Sequence, residues 1–159
     1  QYYSASANQG NHWAQCNIGY CYCTGRGVDR DEIEAFRWFS ASACQNNPRA
    51  QFKIASFYEQ GIVVSQDKEK AFQWYERAAL QNYVPAVVSL AFCHEAAIGV
   101  EMNLDKSAEL YQKAALLGDP HACSHLARVL SKIYLAGLSD TVPGSTGNQN
   151  CISHVALCA

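Results

Sequence analysis

The sequence repeats itself with a period of 36 residues, and this feature limits the possible folds more than any other. A shift by one period aligns four alanines without a gap: Ala14, Ala50, Ala86 and Ala122. A second column holds small residues and a third holds aromatic ones: Gly19, Ala55, Ala91 and Ala127, then Phe39, Tyr75 and Tyr111. A fixed period of this length is typical of stacked units that bury one another's faces. We therefore expect a repeat architecture.

Each unit contains two stretches whose apolar residues step by three and four, which predicts two helices, A and B. We place helix A at about 12–24, 48–60, 84–97 and 120–135, and helix B at about 31–45, 67–81 and 103–117. Polar side chains are positioned to cap helix B at Asp31, Asp67 and Asn103. Glycine ends helix A, and a valine then returns to the core at Val28, Val64 and Val100. Residues that tolerate positive φ follow helix B at Asn46, Asn82 and Gly118.

These helices divide the chain into an array and a tail. Residues 1–9 align with 37–45, so the chain opens inside a partial helix B, as if cut from a longer array. Three copies follow at 10–45, 46–81 and 82–117, then a partial copy at 118–137. Residues 138–159 contain Pro143, Gly144 and Gly147 and predict an irregular tail or cap. The fold class expected for residues 1–137 is all-α, a right-handed α-solenoid with a concave inner side.

The repeat resembles the Sel-1-like repeat family, a relative of the tetratricopeptide repeat. The second copy carries the family pattern at Ala50, Ile54, Ala55, Tyr58, Gly61, Val64, Asp67, Ala71, Trp74, Tyr75, Ala78 and Ala79. Departures are Val63 and Ala97 in place of connector glycines, and Leu110 in place of the third tryptophan. The resemblance implies a non-catalytic scaffold or adaptor that binds other proteins. Some members join successive copies by disulfides, but Gln51 stands opposite Cys44 and Leu116 opposite Cys123, so that pattern does not carry over.

Composition excludes several other classes of partner. The hydrophobic fraction is 49% and the charged fraction 16%, with a net charge of −2, so no basic excess attracts nucleic acid or an anionic membrane. No stretch approaches the ~20 apolar residues that span a bilayer, and we expect a soluble chain without membrane insertion. The segment Gly25-Arg26-Gly27 lacks the further glycine and lysine of phosphate loops, and no nucleophile motif occurs. We expect no enzymatic activity and no cofactor.

The eight cysteines and five histidines leave two further questions. An even cysteine count in a small chain can mark a disulfide framework, but the repeat already supplies a core, so we expect mostly buried free thiols. His121 and His125 share one helical face, and Cys93-His94 on the preceding helix A could approach them as zinc ligands. The alternative places Cys93 in the core, His94 in an aromatic column and His121 in a turn. We favour the alternative and expect no metal site.

The predicted binding site is the inner face of helix A. Its candidate residues are Trp13, Tyr20, Arg49, Phe52, Ser56, Glu59, Phe92 and Glu95. Aromatic side chains beside Arg and Glu suit a groove that anchors a protein or peptide partner. Tyr20 and Phe92 could instead pack on a neighbouring helix. Rival hypotheses are a regulatory or structural docking segment of a larger protein, such as an enzyme activator or a membrane-complex assembly factor, and a metal- or redox-responsive module. An exposed apolar edge further predicts end-to-end self-association.

Overall fold

The computed structural model describes residue 7 and residues 10–139, and residues 10–139 contain seven helices and no strand. The helices are α1 (His12–Thr24), α2 (Glu32–Cys44), α3 (Pro48–Gln60), α4 (Lys68–Leu80), α5 (Val84–Ala96), α6 (Leu104–Leu116) and α7 (Ala122–Ser139). Each helix packs against the one before it and the one after it. The predicted all-α solenoid of helix pairs is thereby confirmed, with α1, α3, α5 and α7 as helices A. The predicted tail lies outside the described residues except for 138 and 139.

Local signals set the helix ends. Asp31 Oδ1 accepts hydrogen bonds from the backbone N–H groups of Ile33 and Glu34 at 2.9 and 3.0 Å. The predicted caps of the other two helices B, Asp67 and Asn103, are confirmed in the same way. Helices A end at residues in the left-handed conformation: Gly25, Gly61 and Ala97. The predicted positive φ after helix B is also confirmed, at Asn46, Asn82 and Gly118.

The core lies between helices A and B and continues from one pair to the next. Phe39 is fully buried in the first pair, and its ring would lie 2.8 Å from a Cβ placed on Gly19. Ala55 and Ala91, the next members of the small-residue column, are also fully buried. Trp74 packs against the apolar clusters on both sides of it, as expected for a residue between successive pairs. The recurring small and large residues are therefore complementary surfaces of one continuous core.

Two expectations about the array's ends are wrong. Helix α7 extends to Ser139 rather than ending near residue 135. The position that holds Gly25, Gly61 and Ala97 holds Ile133 in this unit, and a β-branched residue disfavours the left-handed conformation that would end the helix. Val28 is exposed, whereas Val64 and Val100 pack against apolar clusters, because no preceding pair is present among the described residues to cover it.

The cysteines follow the core only in part. Cys16, Cys21, Cys23, Cys44 and Cys93 are thiols without a disulfide. Cys93 is buried in the core as predicted and Cys16 is also buried, but Cys21 and Cys23 are only partly buried and Cys44, at the end of α2, is exposed, so the thiols are less buried than expected. Gln51, opposite it in the repeat, is buried, and its amide donates hydrogen bonds to Asn46 Oδ1 at 2.9 Å and to the carbonyl oxygen of Ala43 in the preceding copy at 3.5 Å. Hydrogen bonds therefore join these copies at this level. Cys151 and Cys158 lie outside the described residues.

Candidate functional site

The eight predicted site residues all lie on helices A. Trp13 and Tyr20 are on α1, Arg49, Phe52, Ser56 and Glu59 on α3, and Phe92 and Glu95 on α5. Side chains of adjacent helices A meet at both ends of this set, because Arg49 lies over the Tyr20 ring and Arg128 reaches Glu95. We call the surface formed by these side chains, with Lys53, Arg128 and Lys132, the helix A face.

At its N-terminal end, this face is built around the ring of Tyr20. The Arg49 guanidinium carbon and the Lys53 Nζ each lie 5.0 Å from the ring centroid, within the range of cation–π contact. The ring of Tyr20 also makes an edge-on contact with Phe39, with the centroids 5.2 Å apart. Burial, with smaller contributions from neighbouring groups, raises the pKa of the Tyr20 hydroxyl to about 12, so it stays protonated. Lys53 was absent from the predicted site, although it lies one helical turn beyond Arg49.

The central residues are engaged within the chain. The half-buried Phe52 ring packs between Tyr75 and Tyr83, with centroids 5.5 and 5.6 Å away. Ser56 Oγ donates to the carbonyl oxygen of Phe52 at 3.2 Å. Glu59 accepts a hydrogen bond from the Tyr75 hydroxyl at 2.7 Å. These contacts fix the shape of the helix A face but leave little of Phe52 for a partner.

At the C-terminal end, Glu95 is the centre of an ion cluster. Its side chain is only 3% exposed, and its carboxylate accepts from Arg128 at 2.7 Å and from Lys132 at 2.7 Å. The Tyr111 hydroxyl donates to the same carboxylate at 3.2 Å. Burial opposes ionisation of Glu95, but the hydrogen bonds and charges of Lys132 and Arg128 outweigh it and hold its pKa below the ordinary value. Glu95 therefore serves internal structure here, and Arg128 and Lys132 present the charge at the surface.

Two aromatic side chains of the set remain open to solvent. Trp13 is 49% exposed and Phe92 is 45% exposed. The His12 ring lies beside Trp13 with the centroids 5.3 Å apart. Large exposed aromatic side chains are the ones that most often carry the binding energy of protein interfaces. Of the predicted residues, these two are the best placed to enter a partner's surface.

His94 and His125 act as packing aromatics. His125 stacks on Tyr111 at 5.1 Å, and the His94 ring lies edge-on to Phe72 at 5.4 Å. Burial, together with the negative charge of Glu59, raises the pKa of the Cys93 thiol to about 12, so the thiolate that would bind zinc is disfavoured. Within residues 7 and 10–139, no group of three His, Cys, Asp or Glu residues is arranged to hold a metal ion. None of the described helices is long and apolar enough to cross a membrane.

The repeat itself identifies the family. The model of the Sel1 repeat matches three successive segments, residues 14–47, 48–83 and 84–119. The chain belongs to the Sel1 repeat family. Sel1 repeat proteins generally mediate protein–protein interactions, and the family is generally non-catalytic. A comparison with curated protein sequences gives no match.

Solved structures of other Sel1 repeat proteins share this fold. A Sel1 repeat protein from Oxalobacter formigenes is 32% identical with a TM-score of 0.74, over 79% of this chain and 95% of that one. The protective antigen c5321 of uropathogenic Escherichia coli is 28% identical with a TM-score of 0.79, over 82% of this chain and 28% of that one. Cysteine-rich protein B of Helicobacter pylori, at 23% identity and a TM-score of 0.63, covers 78% and 89% and is similar in fold alone.

Proposed function

We propose that this Sel1 repeat protein is a non-catalytic scaffold or adaptor that holds a protein or peptide on the helix A face, the predicted concave side. The observation that carries the proposal is the exposure of Trp13 and Phe92 on helices A. In the same array, Phe39, Tyr75 and Tyr111 are buried in the core. Since the core does not need Trp13 and Phe92, a partner's surface is the place where their apolar area would be removed from water.

The neighbouring side chains support the proposal. Arg49 and Lys53 lie beside Tyr20, and Arg128 and Lys132 beside Glu95, so the helix A face carries charged groups as well as the exposed aromatics. Interfaces commonly combine aromatic anchors and arginine with a polar rim. The internal contacts of Phe52 and Glu59 fix α3 against α4 and against Tyr83 at the start of α5, which limits the entropy that binding would cost. No comparable group supports the docking-segment or redox hypotheses.

An affinity capture tests this function. The purified chain is immobilised, exposed to an extract of its source cells, and the retained proteins are quantified by mass spectrometry. Replacing both Trp13 and Phe92 by alanine is expected to release the retained partner, because each anchor residue of this kind contributes about 2 kcal/mol. Both side chains are about half exposed, so the fold does not depend on them.

The matched control replaces two exposed leucines on helices B, Leu80 and Leu116. This variant also removes two exposed apolar side chains, but from helices B instead of helices A, and we expect it to retain the partner. Circular dichroism must show equal helix content for all three proteins. Loss of the partner in the Leu80→Ala, Leu116→Ala protein as well would contradict the assignment to the helix A face.

We further propose that the array associates with a second copy through α7. Ala55 and Ala91 are fully buried by helix B of their own unit, whereas the equivalent Ala127 is exposed, because no described helix follows α7. Tyr134 and Leu135 are also exposed on this helix. Two copies packed through α7 would cover these residues as a helix B does in the complete units.

Sedimentation equilibrium over a wide concentration range measures this association. The wild-type chain is expected to approach the mass of a dimer at high concentration, and Leu135→Glu is expected to remain monomeric because a buried carboxylate would be unpaired. Ile33→Glu is the control, since Ile33 is exposed on α2, far along the chain from α7. A wild-type mass that stays at one chain throughout would refute the proposal.

A further inference from the structure

Charge is distributed unevenly between the two kinds of helix. Helices A carry four basic residues, Arg49, Lys53, Arg128 and Lys132, and two acidic ones, Glu59 and Glu95. The whole chain nevertheless has a net charge of −2, and helices B carry equal numbers of acidic and basic residues, so the acidic excess lies in the sequence outside these helices, mainly in the connectors. The helix A face is therefore a positive surface on a negative protein, which favours a partner of negative charge.

The uncompensated part of this positive charge lies at Arg49 and Lys53. Some exposed cations on helices B pair with a carboxylate three residues away, as Lys70 does with Asp67 and Lys106 with Glu109. Neither Arg49 nor Lys53 forms an ion pair with any described residue. Both are half-buried, and both lie 5.0 Å from the centroid of one tyrosine ring. Two partly desolvated cations held this close without a counter-charge are favourably placed to bind an anion.

The repeat shows where the missing carboxylate would be. The column that holds Glu59 and Glu95 in the second and third copies holds Cys23 in the first. At the junction of the third and fourth units, Glu95 neutralises Arg128 and Lys132 from this position. At the junction of the first and second units, Cys23 lies near enough to Lys53 for that charge to act on its thiol, but it supplies no negative group. The first junction thus also has two cations on a helix A, at repeat positions other than those of Arg128 and Lys132, but it has no internal acid at this position.

We propose that Arg49 and Lys53, with the hydroxyl of Tyr20, bind a carboxylate side chain from an acidic segment of a protein partner. The inference rests on the proposed function and adds the chemistry of the partner. Trp13 lies seven residues before Tyr20 on α1, which places it two turns away on the same side of the helix, where it receives an apolar side chain next to the carboxylate. The partner segment therefore combines glutamate or aspartate with aromatic or large aliphatic residues.

Fluorescence anisotropy with the full chain tests the inference. The probe is a fluorescein-labelled, C-terminally amidated peptide, Glu-Phe-Glu-Glu-Phe-Glu, and the comparison peptide has glutamine for every glutamate. We expect the acidic peptide to bind at least about tenfold more tightly, because a hydrogen bond between charged groups contributes more than a neutral one. Added sodium chloride should weaken the acidic peptide alone. Equal affinity of the two peptides, or no binding of the acidic one, would overturn the inference.

Two substitutions at Cys23 place the test on the chain itself. Cys23→Glu supplies the internal carboxylate that the other copies have, and we expect it to weaken the acidic peptide by about tenfold or more. Cys23→Gln introduces a side chain of nearly the same size as glutamate but without its charge, and this variant should bind the acidic peptide as tightly as the wild type does. Should either protein lose helix content, Lys53→Gln is used, with the same loss expected. Unchanged affinity in both Cys23→Glu and Lys53→Gln would overturn the inference.

Two further results separate this inference from the proposed function. Tight binding of the glutamine peptide that is lost in Trp13→Ala would overturn the acidic preference while leaving the helix A face as a binding site. Preferential binding of a labelled oligothymidylate over the acidic peptide would overturn it in favour of nucleic acid, although two cations neutralise few phosphates. The capture from cell extract uses neither probe, so its failure concerns the scaffold function itself.

Discussion

Gly99→Ala is expected to lower the free energy of unfolding by about 3 kcal/mol, combining a disfavoured backbone conformation with a steric clash. Gly99 has a φ of +68°, and a Cβ at this position would lie 2.1 Å from the carbonyl oxygen of Lys68. That oxygen belongs to the first turn of α4, so the connector of the third unit lies directly on helix B of the second. To make room for the added methyl group, the connector of the third unit would have to move away from α4.

Gly27→Ala is the matched control, because Gly27 occupies the same connector position two units earlier. Its φ is +77°, but nothing lies within 4 Å of a Cβ built there. Only the conformational penalty applies, and we expect a loss of about 1 kcal/mol. Urea unfolding followed by circular dichroism measures both variants. Equal losses would show that the contact with Lys68 does not contribute, since the backbone conformation is the same in both.

The second unit shows that this position is not a glycine site everywhere. Val63 lies there with a φ of +66° and an exposed side chain. The junction between the first and second units therefore leaves room for a side chain that the next junction does not. The repeat pattern alone predicts the same residue in every unit, so the difference depends on how closely each pair of units packs. Such small differences in stacking are not encoded in the residues of the connector itself.

The helices were predictable because their signals are local. Asp31, Asp67 and Asn103 each cap a helix B by accepting from backbone N–H groups no more than three residues away. A residue in the left-handed conformation follows the C-terminus of each helix B. The end of α7 was missed although its signal is equally local, because Ile133 replaces the residue that ends the other helices A. The longer α7 can be predicted by asking, at this repeat position, whether each residue tolerates the left-handed conformation that ends the other helices A.

The site was predictable as a face but not as a set of free side chains. Tyr20 and Phe92 occupy the same column, yet Tyr20 is covered by Arg49 and Lys53 of the next unit, whereas Phe92 is exposed. In the unit after Phe92, His125 stands at the position of Lys53 and turns instead to stack on Tyr111. Exposure thus depends on contacts with the neighbouring unit. Alignment of a column assigns the face but does not determine those contacts.

Glu95 is the clearest example of a residue whose observed role differs from the role predicted from its repeat column. Its column places it on the helix A face beside a partner, but the fourth unit brings two cations over it. Sequence reasoning missed Arg128 because its column holds Tyr20, Ser56 and Phe92 and gives no charge pattern. The ion cluster joins α5 to α7, which has no helix B of its own among the described residues. We infer that Glu95 helps to hold the last helix on the array.

Glu95→Ala is accordingly expected to lower the free energy of unfolding by about 2 kcal/mol. This loss is smaller than the loss expected on breaking a fully buried ion pair, because Arg128 and Lys132 are half exposed and can be solvated once Glu95 is removed. The Tyr111 hydroxyl would lose its acceptor in the core. Glu59→Ala is the control, since Glu59 shares the column and accepts from Tyr75 but has no cation partner. We expect it to lose about 1 kcal/mol. Equal losses would exclude a contribution from the ion cluster.

The same carboxylate gives the stability a dependence on pH. Burial disfavours the charged form, yet Lys132 and Arg128 hold the pKa of Glu95 in the folded chain below its ordinary value of 4.5. A group whose pKa is lowered by folding stabilises the fold above its unfolded pKa, and this contribution is lost as the pH falls through the folded one. The difference in unfolding free energy between the wild type and Glu95→Gln should therefore be constant at neutral pH and shrink below about pH 4.5. Urea titrations of both proteins at a series of pH values measure that difference. A difference that widens as the pH falls would mean that folding raises the pKa of Glu95. That result would contradict stabilisation of the carboxylate by Arg128 and Lys132.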